Sequence, residues 1–231
     1  MSEIVLDNRM SCIAECVPEG AVVADIGTDH GKLPVYLAQI GKIKRAVAAD
    51  INSMPLQKAV NNIKKHGLDS VIDTYLTDGL KGIEVFSPDC VVIAGMGGEL
   101  IEQILSESTV KKTGIKYILQ PMTKEDSLRR YLCENGYVIY DEHIVKEGKL
   151  YQIICAEYSG GSVVLTEAEY FLGKKNIEKN CDILVELIEK VTNRINVKLK
   201  GKLEAMLDVS WEVKILGELT EIKERYYGNG K

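Results

Sequence analysis

The densest concentration of chemistry in this chain is V-A-D-I-G-T-D-H-G-K-L at residues 23–33, which follows a short apolar run and opens a helical one. Asp25 closes the run, Gly27 permits a tight turn, and Gly31 lets the helix begin close to a ligand. A dinucleotide fingerprint reads G-x-G-x-x-G and leaves room for a pyrophosphate. Here the glycines stand four apart, and Asp25 and Asp29 add carboxylates. Those acids repel a pyrophosphate and attract an ammonium. The loop therefore suits the sulfonium amino acid S-adenosylmethionine better than a dinucleotide. By itself D-x-G-x-x-x-G is only moderately specific, because turns with two glycines are common.

Three later segments extend the pattern. A-A-D-I-N places Asp50 about twenty residues past the loop, where a carboxylate can accept both ribose hydroxyls. An isolated Asp there could equally serve a turn or a helix cap. T-Y-L-T-D-G-L ends in Asp78, suited to an adenine amino group, and Gly79, whose backbone N–H can meet a ring nitrogen. Carboxylates at the ends of three consecutive strand-like runs point to one ligand site, because open α/β sheets bind at the carboxyl ends of their strands. Finally, C-V-V-I-A-G-M-G-G-E-L supplies a bare turn, Ala94-Gly95-Met96-Gly97-Gly98. Its glycines allow a ligand to approach the main chain, and Met96 either contacts that ligand or fills the core.

The elements that must hold these residues are legible around them. Ala21–Ile26, Arg45–Asp50, Ser70–Thr77, Cys90–Ala94 and Ile115–Leu119 are short, β-rich and nearly continuous in apolar character, as expected of strands covered on both faces. Helical stretches alternate with them. Ser53 is read as the cap of one, with Pro55 in its first turn, and Thr123 as the cap of Lys124–Asn135. Tyr137–Val145 and Lys149–Tyr158, separated by Lys146-Glu147-Gly148, read as a hairpin. The expected fold class is α/β: a class I, Rossmann-like methyltransferase domain whose doubly wound, mostly parallel sheet ends in an antiparallel hairpin.

Ser159-Gly160-Gly161-Ser162 breaks the pattern, giving expected domains at 1–160 and 161–231. Beyond the break, Ile177, Cys181, Leu184, Ile188, Val191 and Ile195 form a heptad seam. Gly201 marks a turn or kink, and Val209, Val213, Leu216, Leu219, Ile222 and Tyr226 supply a second apolar stripe. Two helices so joined fold back as an antiparallel coiled-coil hairpin. Covering a domain face, dimerising and guiding RNA are all open roles for it.

Bulk properties exclude other classes. The chain has 231 residues, 45% of them apolar, and a net charge of −5. No apolar run approaches a membrane span, and the N-terminus lacks the pattern of a secretory signal, so a cytoplasmic location is expected. Cys12 and Cys16 could share a helix face, but the six cysteines contain no C-x-x-C pair and the three histidines are scattered. Free thiols and no metal are the expectation. The acidic total argues against a broadly basic nucleic-acid-binding surface, although a local patch can coexist with it. A monomer is the default.

Taken together, N-R-M at 8–10, D-I-G-T-D-H-G at 25–31, A-D-I-N at 49–52, T-D-G-L at 77–80, A-G-M-G-G at 94–98 and L-Q-P-M at 119–122 resemble the TrmK family of bacterial tRNA (adenine-N1)-methyltransferases. The resemblance covers essentially the whole chain. It implies methylation of N1 of adenine 22 in tRNA, with S-adenosylmethionine as cofactor and tRNA as partner. By position it also implies that Arg9, Asp25, Gly27, Thr28, His30, Asp50, Ile51, Asp78, Gly79, Gly95 and Met96 line the cofactor and base site. Asp29 is the candidate catalytic residue, stabilising positive charge on the methylated ring or accepting from the adenine amino group; holding the cofactor ammonium is its other possible role. Lys32, Lys124, Arg129 and Arg130 are candidates for phosphate contact. The alternatives are a methyltransferase acting on a small molecule or another RNA, and a non-enzymatic RNA-binding protein.

Overall fold

The apolar runs become five parallel strands, β1 (Ala21–Ile26), β2 (Ile43–Asp50), β3 (Ile72–Leu76), β4 (Cys90–Met96) and β5 (Lys116–Pro121), in a computed structural model that describes residues 4–108, 110 and 112–228. A hairpin of β6 (Tyr137–Glu147) and β7 (Lys149–Tyr158) completes one seven-stranded sheet of order β3-β2-β1-β4-β5-β7-β6. Only the pairs that include β7 are antiparallel. From β1 the chain builds outward through β2 and β3, then returns to place β4 on the other side of β1. The β1/β4 junction is therefore the topological switch point, where such sheets open a crevice.

Helices on both faces explain why the strands carry no polar alternation. On one face Ala24, Ile26, Val47, Ile93, Leu119 and Ile154 pack with Ile101 and Leu105 of α4 (Gly98–Ser106) and Leu128 and Leu132 of α5 (Glu125–Glu134). On the other, Val23, Ala46, Ala48, Val92, Ile118 and Ile153 meet α1 (Asn8–Cys16), α2 (Lys32–Gln39) and α3 (Ser53–Lys65). Two cap assignments shift. Asn52, not Ser53, is the N-cap of α3, and Lys124 at φ 59° stands where Thr123 was expected for α5. Arg129 is fully buried: its Nε donates to Glu142 at 2.6 Å and its Nη2 to Gln152 at 2.7 Å. A guanidinium so committed braces α5 against the hairpin and reaches no phosphate.

The chain divides into two compact units at Val163/Val164. The second unit contains α6 (Glu167–Leu172), α7 (Lys174–Lys179), α8 (Ile183–Glu204) and α9 (Ser210–Gly228). Thr166 caps α6 through a reciprocal capping box with Glu169. Lys202 with Glu212, Glu189 with Lys223 and Asp182 with Tyr226 tie α8 to α9 in antiparallel sense. The seam differs from the heptad reading at three points. Asn180, at φ 49°, ends α7, so Ile177 and Cys181 do not continue the α8 stripe. Gly201 lies inside α8, and the turn follows at Met206, φ 53°. On α9 Glu212, Ile215, Leu219 and Tyr226 are buried, while Val213 is exposed. Among the described residues, no helix is long and apolar enough to cross a membrane.

Candidate active site

Two turns meet at the switch point. After β1, Gly27 at φ 74° reverses the chain. A Cβ there would lie 2.1 Å from Cε of Met96, so the absence of a side chain makes room for Met96 to cross the turn. Asp25 is only 6% exposed, and its Oδ2 accepts a 2.6 Å hydrogen bond from the Thr28 hydroxyl. Burial is the main force lifting the Asp25 carboxyl to about 6, opposed by Thr28 and reinforced by the charges of Asp29 and Asp50. Asp29 is exposed and pairs with Lys32 Nζ at 2.9 Å and His30 Nε2 at 3.6 Å. The Lys32 hydrogen bond, more than the nearby charges, holds its carboxyl below the usual range. Gly31 takes φ 65° at the head of α2, where a Cβ would press on Ala59 of α3 at 3.2 Å. It serves helix packing more than ligand approach.

After β4 the turn is bare backbone. Gly95, at φ 80°, interrupts the β4–β5 register, so Ala94 pairs with Gln120 and Met96 with Pro121. Gln120, fully buried, gathers this side. Its Oε1 accepts from Arg9 Nη1 at 2.7 Å and from the Gly95 N–H at 3.2 Å, and its Nε2 donates to the Pro121 carbonyl at 2.7 Å. Arg9 also lies over the Tyr151 ring, 5.5 Å from its centroid. The Gly98 N–H donates to the Thr123 carbonyl at 2.9 Å, and a Cβ on Gly98 would lie 2.5 Å from the Lys124 carbonyl oxygen.

Between the turns lies a cleft of about 440 Å³ lined by Asp7, Arg9, Asp25, Gly27, Asp29 and Gly95, among others. It brings together five of the residues expected from sequence. Met96 joins them from below by its contact with Gly27, and packs on the core. Thr28 is 1% exposed and its hydroxyl is spent on Asp25, so it supports that carboxylate and does not itself face the cleft. His30 lines a neighbouring groove with Lys32, Lys58, Lys65 and His66. Asp50 and Ile51 sit at the end of β2, where Asp50 Oδ1 accepts from the Asn52 N–H at 2.7 Å, the turn geometry that an isolated Asp also suits. Asp78 and Gly79 follow β3, with Asp78 paired to Lys81 at 2.6 Å. These four line the same sheet edge beyond the cleft. Gln120 was missed as a site residue, although an amide inside the apolar run K-Y-I-L-Q-P is a visible signal.

A Rossmann-like sheet with a covered antiparallel end, and an acidic turn at its switch point, define a methyltransferase; residues 6–154 match the family model described as a methyltransferase domain. A Bacillus subtilis protein named tRNA (adenine(22)-N(1))-methyltransferase is 40% identical over 159 residues, 68% of this chain and 67% of the relative. The crystal structure of the B. subtilis m1A22 tRNA methyltransferase TrmK aligns with a TM-score of 0.81 at 30% identity, over 98% of this chain and 99% of that one. The Mycoplasma capricolum TrmK structure, in complex with the cofactor product S-adenosyl-homocysteine, aligns at 0.77 and 28% identity over 96% and 97%. The chain belongs to the TrmK family.

Proposed function

We propose that this chain transfers a methyl group from S-adenosylmethionine to N1 of adenine 22 in tRNA. One observation carries the reading: a buried carboxylate, Asp25, stands beside a glycine turn at the switch point of a chain similar throughout to proteins of that name. The cleft volume lies in the range of small-molecule sites. Its acidic wall fits a cationic amino acid and not a pyrophosphate.

When bound, the cofactor supplies an electrophilic methyl group on a positively charged sulfur. Asp25 and Asp29 hold its ammonium, Asp50 accepts its ribose hydroxyls, and Ile51, Asp78 and Gly79 hold the adenine. Thr28 orients Asp25 from behind. The acceptor nitrogen carries an available lone pair, so positioning dominates and no strong base is needed. Gln120 fixes the Arg9 guanidinium and the Gly95 main chain on the acceptor side. Asp29, ionised at neutral pH, also stabilises the positive charge that develops on the methylated ring. The tRNA must present its base extruded, at a cost of a few kcal/mol.

Phosphate contact falls to a set of cations that overlaps the expected one. Lys32 pairs with Asp29 and lines the groove beside the cleft, Lys124 stands 3.5 Å from Glu99, Arg129 is buried, and Arg130 is half-buried on α5. Lys58 and Lys65, with Asn61, Asn62 and His66, line the groove of about 480 Å³ next to the cleft and suit an RNA backbone. A cytoplasmic location and a monomeric site go with this reading. Incubation with labelled S-adenosylmethionine and tRNA, followed by nucleoside mapping, tests it. Label at N1 of adenine 22 is expected; no incorporation, or label elsewhere, refutes it.

A further inference from the structure

The sheet face under α1 gathers sulfur and imidazole that the cleft does not use. Cys12 and Cys16 are one turn apart on α1 and share a helix face. Across the hairpin Asp141 pairs with Cys155 and His143 with Ile153, so these four residues point to one side of the sheet. It is the side that α1 covers. Sγ of Cys16, Sγ of Cys155 and a ring nitrogen of His143 lie within 4.8 Å of one another. Cys12 is in hydrogen-bonding contact with Cys16, and Asp141 Oδ2 stands 3.2 Å from Nε2 of His143.

We propose that Cys16, Cys155 and His143, with Cys12 as the fourth ligand, form a binding site for a thiophilic divalent cation, zinc foremost. Three thiolates and one imidazole make a closed tetrahedral set, the pattern of a structural site. Ligand atoms in such a site stand roughly 3.4–3.8 Å apart. The ligand atoms of Cys16, His143 and Cys155 need a contraction of about 1–1.4 Å at most, within reach of small side-chain rotations, and Cys12 must turn toward them from outside that cluster. Asp141 completes the arrangement. Its Oδ2, 3.2 Å from Nε2 of His143, is placed to accept a hydrogen bond from Nε2–H and so leave Nδ1 for the cation, as the usual outer-shell partner of a metal-bound histidine does.

The position of the site gives it a consequence. Arg9, Cys12 and Cys16 fall at i, i+3 and i+7 along α1, on one stripe of a nine-residue helix. A cation held by Cys12 and Cys16 on one side and by the hairpin on the other pins the helix that presents Arg9 to Gln120. Binding also displaces protons. Each coordinating thiol releases its proton to solvent, so affinity falls as pH falls. Sequence spacing hid the cluster because its second half comes from two strands far along the chain.

The test is a titration of the full, reduced, metal-free chain with cobalt(II) alone. One equivalent per chain should bring thiolate-to-cobalt charge-transfer bands and the visible bands of tetrahedral cobalt. Cys16→Ser should abolish them and His143→Ala, at a half-exposed position, should shift or weaken them. Cys133→Ser, a buried thiol on α5, should leave them intact. Zinc should raise the Tm of the chelator-treated protein by about 5–10 °C at a hundredfold excess over Kd, and should not do so in the Cys16 variant. Absence of the bands at stoichiometric cobalt, or their survival in Cys16→Ser, overturns the proposal.

Discussion

The turns after β1 and β4 face each other across one cleft and solve different problems. The first carries charge: Asp25 is buried, Asp29 is exposed, and their pKa values move in opposite directions. The second carries none; Gly95, Gly97 and Gly98 offer only backbone, and the fully buried Gln120 beneath them supplies the polarity. The difference teaches how one crevice holds two ligands of different character. A carboxylate kept at a desolvation cost suits a cationic partner that relieves the cost on binding. A backbone turn braced by an amide suits a flat, neutral base.

Substitutions that exchange the properties of the two turns sharpen this contrast. Gly98→Ala should have the largest effect. Its Cβ meets carbonyl oxygens of Thr123 and Lys124 at 2.9 and 2.5 Å, which are backbone and cannot turn aside. A loss of about 3 kcal/mol in denaturant unfolding is expected. Asp25→Asn should move stability the other way. A carboxyl raised from 3.8 to about 6 weakens the fold as pH rises through that interval, and the cost persists at pH 7. Removing the charge should therefore stabilise the ligand-free protein by about 2–3 kcal/mol while weakening cofactor affinity about 10–100-fold.

Gly27→Ala is expected to cost about 1–2 kcal/mol through its left-handed backbone. Its steric conflict is with the mobile end of Met96, so Met96→Ala should restore part of the lost cofactor binding. If Gly27→Ala proves as damaging as Gly98→Ala and Met96→Ala restores nothing, the assigned difference between the turns is wrong. The smallest effect is expected from Asp29→Asn: a fall in turnover of about threefold at saturating cofactor, since an exposed charge is screened by solvent. Unchanged turnover there would leave Asp29 with the cofactor ammonium alone.

The sheet was readable because strands covered on both faces leave continuous apolar runs, and five such runs sit where β1 to β5 form. Asp25, Gly27 and Gly95 were readable from type and spacing. What escaped depends on neighbours that spacing does not contain. Thr28 and His30 follow Asp25 in the motif, yet the αL turn through His30 at φ 57° directs one side chain inward and the other to the next groove. On α9 the buried Glu212, paired with Lys202, displaces the stripe that apolar residues alone suggest and leaves Val213 exposed. Arg129 looked like a surface cation until the hairpin supplied Glu142 and Gln152. The box at Thr166 and Glu169, by contrast, is legible in the sequence as T-E-A-E, because it depends on local spacing alone.

The central claim is that the buried charge of Asp25 meets the positive end of the cofactor. Calorimetric titration of S-adenosylmethionine into the wild-type chain and Asp25→Asn between pH 5 and pH 8 tests it most directly. A cation favours the ionised carboxyl, so wild-type affinity should fall as pH drops through about 6, while the weaker affinity of the variant should stay flat across that interval. Equal affinities with the same pH profile in both proteins would contradict the account.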